Sequence, residues 1–194
     1  VPQEQKNNLI IFTGPSGVGK GTIVKQVFAD LEDIEFSISC TTRAMRPGEV
    51  DKVNYFFKTK EEFEQMINDD ALLEWAEFVG NFYGTPKEFV LDTLANGKDV
   101  FLEIEVQGAL QVMKKFPEAL SIFLVPPSIA ELEKRLRTRA TETEEVLQKR
   151  LKKASEEMKF IDEFDYVITN DNLERAIESV KLLILDARQN LMSH

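Results

Sequence analysis

Residues 9–22 read LIIFTGPSGVGKGT. An apolar run from Leu9 to Thr13 feeds directly into a glycine-rich segment that ends on a lysine. The spacing G-x(4)-G-K is met by Gly14, Gly19 and Lys20. Glycines let the backbone wrap closely around an anion, so that successive N–H groups converge on it. A helix starting near Lys20 adds the positive end of its dipole, and the lysine can reach the outer phosphates of a nucleoside triphosphate. Glycine-rich turns also join strands to helices without any ligand. The preceding strand, the lysine and the following amphipathic stretch together favour the phosphate reading. Gly14, Pro15, Ser16, Gly17, Val18, Gly19, Lys20, Gly21 and Thr22 are therefore candidate triphosphate contacts. The motif expects Ser or Thr directly after the lysine, to hold Mg²⁺. Gly21 stands there and Thr22 follows, which leaves Thr22 as a weaker candidate for the metal.

Outward from this loop, strands and helices alternate, the pattern of parallel βαβ units. Short apolar runs at Leu9–Thr13, 36–40, 99–105, Leu120–Val125 and Tyr166–Thr169 read as strands of a sheet covered on both faces. Cap signals begin the helices: Thr59 with Glu62, Ser128 with Glu131, Asp171 with Glu174, and Thr85 with Glu88, where Pro86 falls at the first helical position. The last helix buries Leu173, Ala176, Ile177, Val180, Leu183, Ile184, Ala187 and Leu191 at helical spacing. Residues 43–83 break the rhythm and read as an inserted subdomain of short antiparallel strands. The polar stretch 138–145 reads as a mobile flap.

A chain of 194 residues suits one α/β domain. No apolar stretch reaches the roughly 20 residues needed to cross a bilayer, and the start carries no signal pattern, so a cytoplasmic protein without a membrane partner is expected. The net charge of −10 argues against a nucleic-acid partner. Within this acidic chain, six of eight arginines lie in two clusters, Arg43/Arg46 and Arg135/Arg137/Arg139/Arg150, as local binding of small anions would require. Cys40 is the only cysteine and His194 the only histidine. A disulfide within the chain, a multi-thiolate metal site and histidine acid–base catalysis are thereby excluded or nearly so.

The segment from Ser37 to Glu49, SISCTTRAMRPGE, resembles the acceptor-binding signature of guanylate kinases. Further similar motifs follow in order: Asn54-Tyr55-Phe56-Phe57, Leu73-Glu74-Trp75-Ala76, Asn81-Phe82-Tyr83-Gly84-Thr85, Leu102-Glu103-Ile104-Glu105-Val106-Gln107-Gly108, and the Arg135, Arg139, Arg150 region. The resemblance implies a three-layer parallel-sheet P-loop nucleoside monophosphate kinase fold. Its parts would be a core (9–42 and 86–191), a GMP-binding insertion (43–85) and a lid (138–150). It also implies phosphoryl transfer from ATP to GMP, with Mg²⁺ bound alongside ATP, in purine nucleotide metabolism; dGMP is an expected second acceptor. By resemblance, Ser39, Arg43, Arg46, Tyr55 and Tyr83 hold the GMP phosphate, with Glu49 in the same signature. Glu74, Thr85 and Ser39 read the guanine edge. Glu103, directly or through water, stands on the metal side. Glu105 faces the acceptor, at a position where the family often carries aspartate. Arg135, Arg139 and Arg150 meet the polyphosphate and join Lys20 and Arg43 in catalysis, and Asn170 lies near the adenine.

Elementary chemistry agrees with these roles. Two arginines three residues apart in a loop offer forked donors to a dianion. An ionised Glu74 can accept from both the ring N–H and the exocyclic amine of guanine, whereas adenine presents an acceptor at that ring position. A site built on such buried pairing discriminates by about 10⁴–10⁵. Tyr55 and Tyr83 could equally be packing residues, and Glu74 an exposed strand charge; Trp75 reads as core. Two rival readings stay open on the residues alone. One is an inactive module of the same fold, although Lys20, Arg43, Arg46, Glu74 and Arg139 are all present. The other is a kinase for a different acceptor, against which Glu74 with Thr85 speaks.

Overall fold

The computed structural model describes residues 8–139 and 143–192. The chain runs β1 (Leu9–Thr13), α1 (Lys20–Asp30), β2 (Ile34–Phe36), β3 (Cys40–Thr41), β4 (Phe56–Phe57), α2 (Lys60–Asn68), β5 (Leu72–Phe78), β6 (Asn81–Pro86) and α3 (Lys87–Ala95). It continues through β7 (Asp99–Glu103), α4 (Val106–Lys115), β8 (Leu120–Val125), α5 (Ile129–Arg139), α6 (Glu144–Glu157), a 3₁₀ turn (Met158–Glu163), β9 (Tyr166–Thr169) and α7 (Leu173–Met192).

Five strands form a parallel sheet in the order β2-β7-β1-β8-β9. β1 lies at its centre because it is apolar on both faces. Ile10 and Phe12 pack with Ile23 and Val27 of α1 and with Ala176, Ile177, Val180 and Ile184 of α7. Leu9 and Ile11 pack on the other face with Val90 of α3 and Val106, Ala109 and Val112 of α4. Each fully buried side chain of this size contributes about 1.5–3 kcal/mol, so the two layers fix the position of the loop that leaves β1. The connection out of β1 runs to one side of the sheet and the connection out of β7 to the other. A crevice therefore opens beyond the carboxyl ends of these two neighbours, where ligands of α/β sheets bind.

The expected strand 36–40 is two strands on two sheets. The Ser37 N–H still bonds the Phe101 carbonyl at 3.0 Å, after which the chain leaves the central sheet and enters a second one, ordered β4-β3-β6-β5. There Cys40, Phe63 and Leu72 form a small core with Phe56 and Phe82, and burial pushes the Cys40 thiol up to about 11. β6 pairs antiparallel with both β3 and β5, but β3 and β4 run parallel. The connection 42–55 is long enough to return the chain to its starting end, which a tight hairpin turn is not.

The Thr59–Glu62 capping box forms in both directions, and the Ser128 hydroxyl accepts from the Glu131 N–H at 3.0 Å. Two caps differ from expectation. At α7 the capping side chain is Asn172, which accepts from the Arg175 N–H at 3.0 Å, while Asp171 accepts from the Asn172 N–H; Leu173 is exposed, and the Leu191 side chain lies outside the described residues. At α3 no side chain caps the helix and Pro86 precedes its first turn, because the Thr85 hydroxyl is engaged elsewhere. The 138–145 stretch divides between the end of α5 and the start of α6; residues 140–142 lie outside the described residues. Among the described residues no helix is long and apolar enough to cross a membrane.

Candidate functional site

The loop 14–19 turns from β1 into α1. Gly19 has φ 101°, in the left-handed region where a side chain is strained, and a Cβ there would come within 2.8 Å of the Asn170 amide. No side chain caps α1, so its first N–H groups remain available to an anion. The Lys20 ammonium donates to the Gly14 carbonyl across the loop. Burial lowers the Lys20 pKa, and the charges of Glu103, Glu157 and Glu105 oppose that shift. A cation partly desolvated among carboxylates is poised for a stronger anionic partner.

Three sequence-distant residues brace this loop. Asn170, just after β9, donates from its side-chain amide to the Val18 carbonyl at 2.8 Å and from its backbone to Val125 at 2.8 Å. Its own carbonyl accepts from Arg135 at 3.1 Å. Arg150, on α6, donates to the Ser16 hydroxyl at 2.7 Å. Arg150 thus reaches the loop directly from α6, and Arg135 reaches it from α5 through Asn170. The side chain of Arg139, at the end of α5, lies outside the described residues. Gly21 and Thr22 are exposed on the first turn of α1.

Glu103 ends β7 beside Phe12 of β1, at the mouth of the crevice. Burial raises its pKa and Lys20 opposes the rise. Two hydroxyl oxygens close the neighbouring strands: Thr13 at the end of β1 and Ser37 just past β2, both buried without a hydrogen-bond partner. A hard cation such as Mg²⁺ takes oxygen donors, and the Glu103 carboxyl at the end of β7 is of that kind. Among the described residues no three His, Cys, Asp or Glu side chains gather to hold a metal by themselves, so phosphate and water oxygens would have to complete its shell.

The second sheet carries the other half of the crevice. Arg43 grips Glu49 with both ends of its fork, at 2.8 Å each, and Glu49 also accepts from the Arg46 N–H at 2.7 Å. These bonds hold the Glu49 carboxyl at about 2 and push Arg43 above its ordinary range, with Tyr83 adding to the effect. The Arg43 guanidinium lies 5.2 Å from the Tyr55 ring centroid, and the Tyr55 and Tyr83 rings meet edge-on at 6.2 Å. Burial, then the neighbouring Tyr83, raises the Tyr55 pKa, so its hydroxyl stays a neutral donor. Ser39 sits in the link between β2 and β3, its carbonyl accepting from the Phe56 N–H at 2.9 Å. Arg46 is exposed.

Glu74, on β5, is 5% exposed and accepts from the Thr85 hydroxyl of β6 at 2.7 Å. Burial pushes its carboxyl up to about 7, against the Thr85 bond and with a further push from Glu105. Its second oxygen lies over Gly108 of α4, where a Cβ would stand 2.4 Å away. Gly108 is a site residue that the roles drawn from sequence omit. Its signal was a glycine in a helix interior, which costs about 1 kcal/mol against alanine and so marks a close approach. Trp75, read as core, is 39% exposed, and its backbone pairs with Gln111. Lys153 of α6 was also overlooked: its ammonium lies 3.7 Å from Glu105.

The crevice thus has an anion cradle on the central sheet and, facing it, an arginine–tyrosine cluster with a buried carboxyl on the second. The sequence model of the family described as Guanylate kinase matches residues 6–187. The guanylate kinase of Bacillus subtilis is 55% identical over 183 residues, covering 94% of this chain and 90% of that protein. That of Oceanobacillus iheyensis is 55% identical over 181 residues, covering 93% and 88%. Among solved structures, the crystal structure of guanylate kinase from Anaplasma phagocytophilum superposes with a TM-score of 0.78 at 31% identity, covering 95% of this chain and 87% of that one. The match takes in both sheets and the loop between β1 and α1, and on it the chain belongs to the guanylate kinase family.

Proposed function

We propose that this crevice transfers the γ-phosphoryl group of ATP to GMP, giving ADP and GDP. The activity follows from the family to which the chain belongs. The observation that carries the choice of acceptor is the buried Glu74–Thr85 pair. A carboxylate there accepts from the two donors of guanine and meets an unpaired acceptor on adenine. dGMP shares that base and is the expected second acceptor.

In this reading the loop 14–22 holds the ATP phosphates, with Lys20 on the outer ones. Asn170 keeps the loop in shape and lies on the adenine side. Arg43, Arg46, Tyr55, Tyr83 and Ser39 take the GMP phosphate. Glu49 acts through Arg43: its carboxylate holds the guanidinium fork until a phosphate dianion, carrying more charge, competes for it. Glu74, Thr85 and Glu105 face the guanosine. A GMP phosphate oxygen attacks the γ-phosphorus as the bond to the ADP oxygen breaks. No general base is needed, since the acceptor is already mostly dianionic near neutral pH. Lys20, Arg135, Arg139 and Arg150 offset the charge that accumulates between two polyanions, the main task in phosphoryl transfer. Glu103, directly or through water, would hold Mg²⁺, with Thr22 the weaker candidate; the ion would supply positive charge to offset and orient the polyphosphate.

The proposed division is a core (9–42 and 86–191), an acceptor-binding insertion (43–85) and a lid (138–150). An assay coupled to ADP, run with ATP against GMP, dGMP, AMP, CMP and UMP, tests the function. Turnover concentrated on GMP and dGMP is expected; comparable turnover of AMP would overturn the base assignment, and none with any acceptor the activity.

A further inference from the structure

Arg150, Lys153 and Glu157 fall at i, i+3 and i+7 on α6 and share one face. Arg150 reaches the phosphate loop at Ser16. One turn on, the Lys153 ammonium meets three groups at once. It lies 3.7 Å from Glu105 at the start of α4, 3.9 Å from Glu157 on its own helix, and 3.2 Å from the ring centroid of Phe78. Phe78 is the last residue of β5, at the turn into β6, so this contact joins α6 to the tip of the hairpin that carries Glu74, Tyr83 and Thr85. Its ring begins a row. Phe78 meets Tyr83 edge-on at 6.3 Å, Tyr83 meets Tyr55 at 6.2 Å, and Tyr55 lies under the Arg43 guanidinium at 5.2 Å. A cation on α6 thus stands at one end of an aromatic row and the acceptor-side arginine at the other.

We propose that Lys153 is a positioning residue for the acceptor nucleotide: it clasps the β5–β6 hairpin to α6 through the Phe78 ring and so seats the Phe78–Tyr83–Tyr55 row behind Arg43. The contact is electrostatic, a cation on the negative face of an aromatic ring, and Glu105 and Glu157 keep that cation from swinging into solvent. It needs a charge at the end of a stem of this length, so arginine can replace lysine and methionine cannot. The idea rests on the GMP kinase reading given above, and deepens it by tying acceptor affinity to α6.

Steady-state kinetics with GMP and ATP varied separately test it, with a thermal melt of each variant. Lys153→Met is expected to raise KM for GMP about three- to tenfold. KM for ATP should change by less than about twofold, and kcat should fall by less than KM rises. Lys153→Arg should restore KM for GMP to within about twofold of the parent. Phe78→Leu should produce a similar rise, and the double variant should be no worse than either single one, since both remove the same contact. An unchanged KM for GMP in Lys153→Met, a loss confined to kcat, or additive effects of the two substitutions would each overturn the proposal. Phe78→Leu carries the test alone if Lys153→Met does not fold. Failure of the parent enzyme to turn over GMP is a separate outcome, which defeats the functional reading itself.

Discussion

At the scale of single residues, Glu74 carries the most chemistry per atom. Its carboxyl, pushed up to about 7 by burial, is mostly neutral in the free protein at pH 6 and mostly ionised at pH 8. Guanine offers only donors to it, so GMP selects the ionised form. Affinity for GMP is therefore expected to rise about tenfold between pH 6 and pH 8 and to flatten above. Calorimetry near pH 7 in buffers of different ionisation enthalpy should detect release of about half a proton on binding. Glu74→Gln should weaken GMP selection and abolish both effects; a variant that kept the pH dependence would place the titrating group elsewhere. Stability runs the opposite way. A carboxyl whose folded pKa lies above its unfolded value near 4.5 binds more protons when folded, so its contribution falls as pH rises from about 4.5 to about 7. Glu74→Gln should accordingly melt higher than the parent at pH 8. Gly108 supplies the companion test. Alanine there improves helix propensity by about 1 kcal/mol but puts a methyl 2.4 Å from the Glu74 oxygen. Gly108→Ala is expected to raise KM for GMP by about tenfold or more and to leave KM for ATP close to the parent value.

At the scale of elements, the loop and α1 act as a unit. The lysine proposed to grip the triphosphate donates to the Gly14 carbonyl at the start of its own loop. Lys20→Ala is expected to lower kcat by about a thousandfold, as measured by ADP release. Because the cation it removes is partly desolvated, the melting temperature should hold or rise. An activity within tenfold of the parent would mean that the arginines alone suffice. Helix starts show where local signals give way. Thr59 caps α2 as its sequence proposes, its hydroxyl accepting from the Glu62 N–H at 3.1 Å. Thr85 presents the same pattern and does not cap α3, because β5 brings a buried carboxylate to 2.7 Å. Leaving that buried carboxyl without its partner would cost about 1–3 kcal/mol, at least as much as a typical cap contributes.

At the scale of the whole molecule, two sheets face each other across a crevice, and β5 of the second packs on α4 of the first through Leu73, Gln111 and Lys115. Residues 37–39 and the hairpin tip at Phe78 are two of the links. We propose that the insertion 43–85 closes toward the phosphate loop when both nucleotides are bound, which would keep water from ATP. A compact chain of this length has a radius of gyration of about 16 Å. Small-angle scattering is expected to show a contraction from the free protein to the complex with GMP and a non-hydrolysable ATP analogue, larger than with either nucleotide alone. An unchanged profile would count against closure.

The βαβ order, the phosphate loop, the two arginine clusters and the family resemblance were all legible in the sequence. Each is a short-range signal: an apolar run, a glycine spacing, a motif of neighbours. Two strands hidden in residues 34–41 were not legible, because a change of sheet is decided by which partner each backbone N–H meets. Nor was the parallel pairing of β3 with β4, which depends on where a long connection returns. The row from Lys153 to Arg43 joins residues far apart in the chain, on α6, the β5–β6 hairpin and the 42–55 connection. The sequence by itself determined the ligand class and the layering, because hydrophobic periodicity and phosphate-binding geometry are local. Only the tertiary structure decided that Glu74 is a buried acid over a helix glycine and that Lys153 of α6 lies on the Phe78 ring of the β5–β6 hairpin, because burial and charge pairing depend on what the rest of the chain brings alongside.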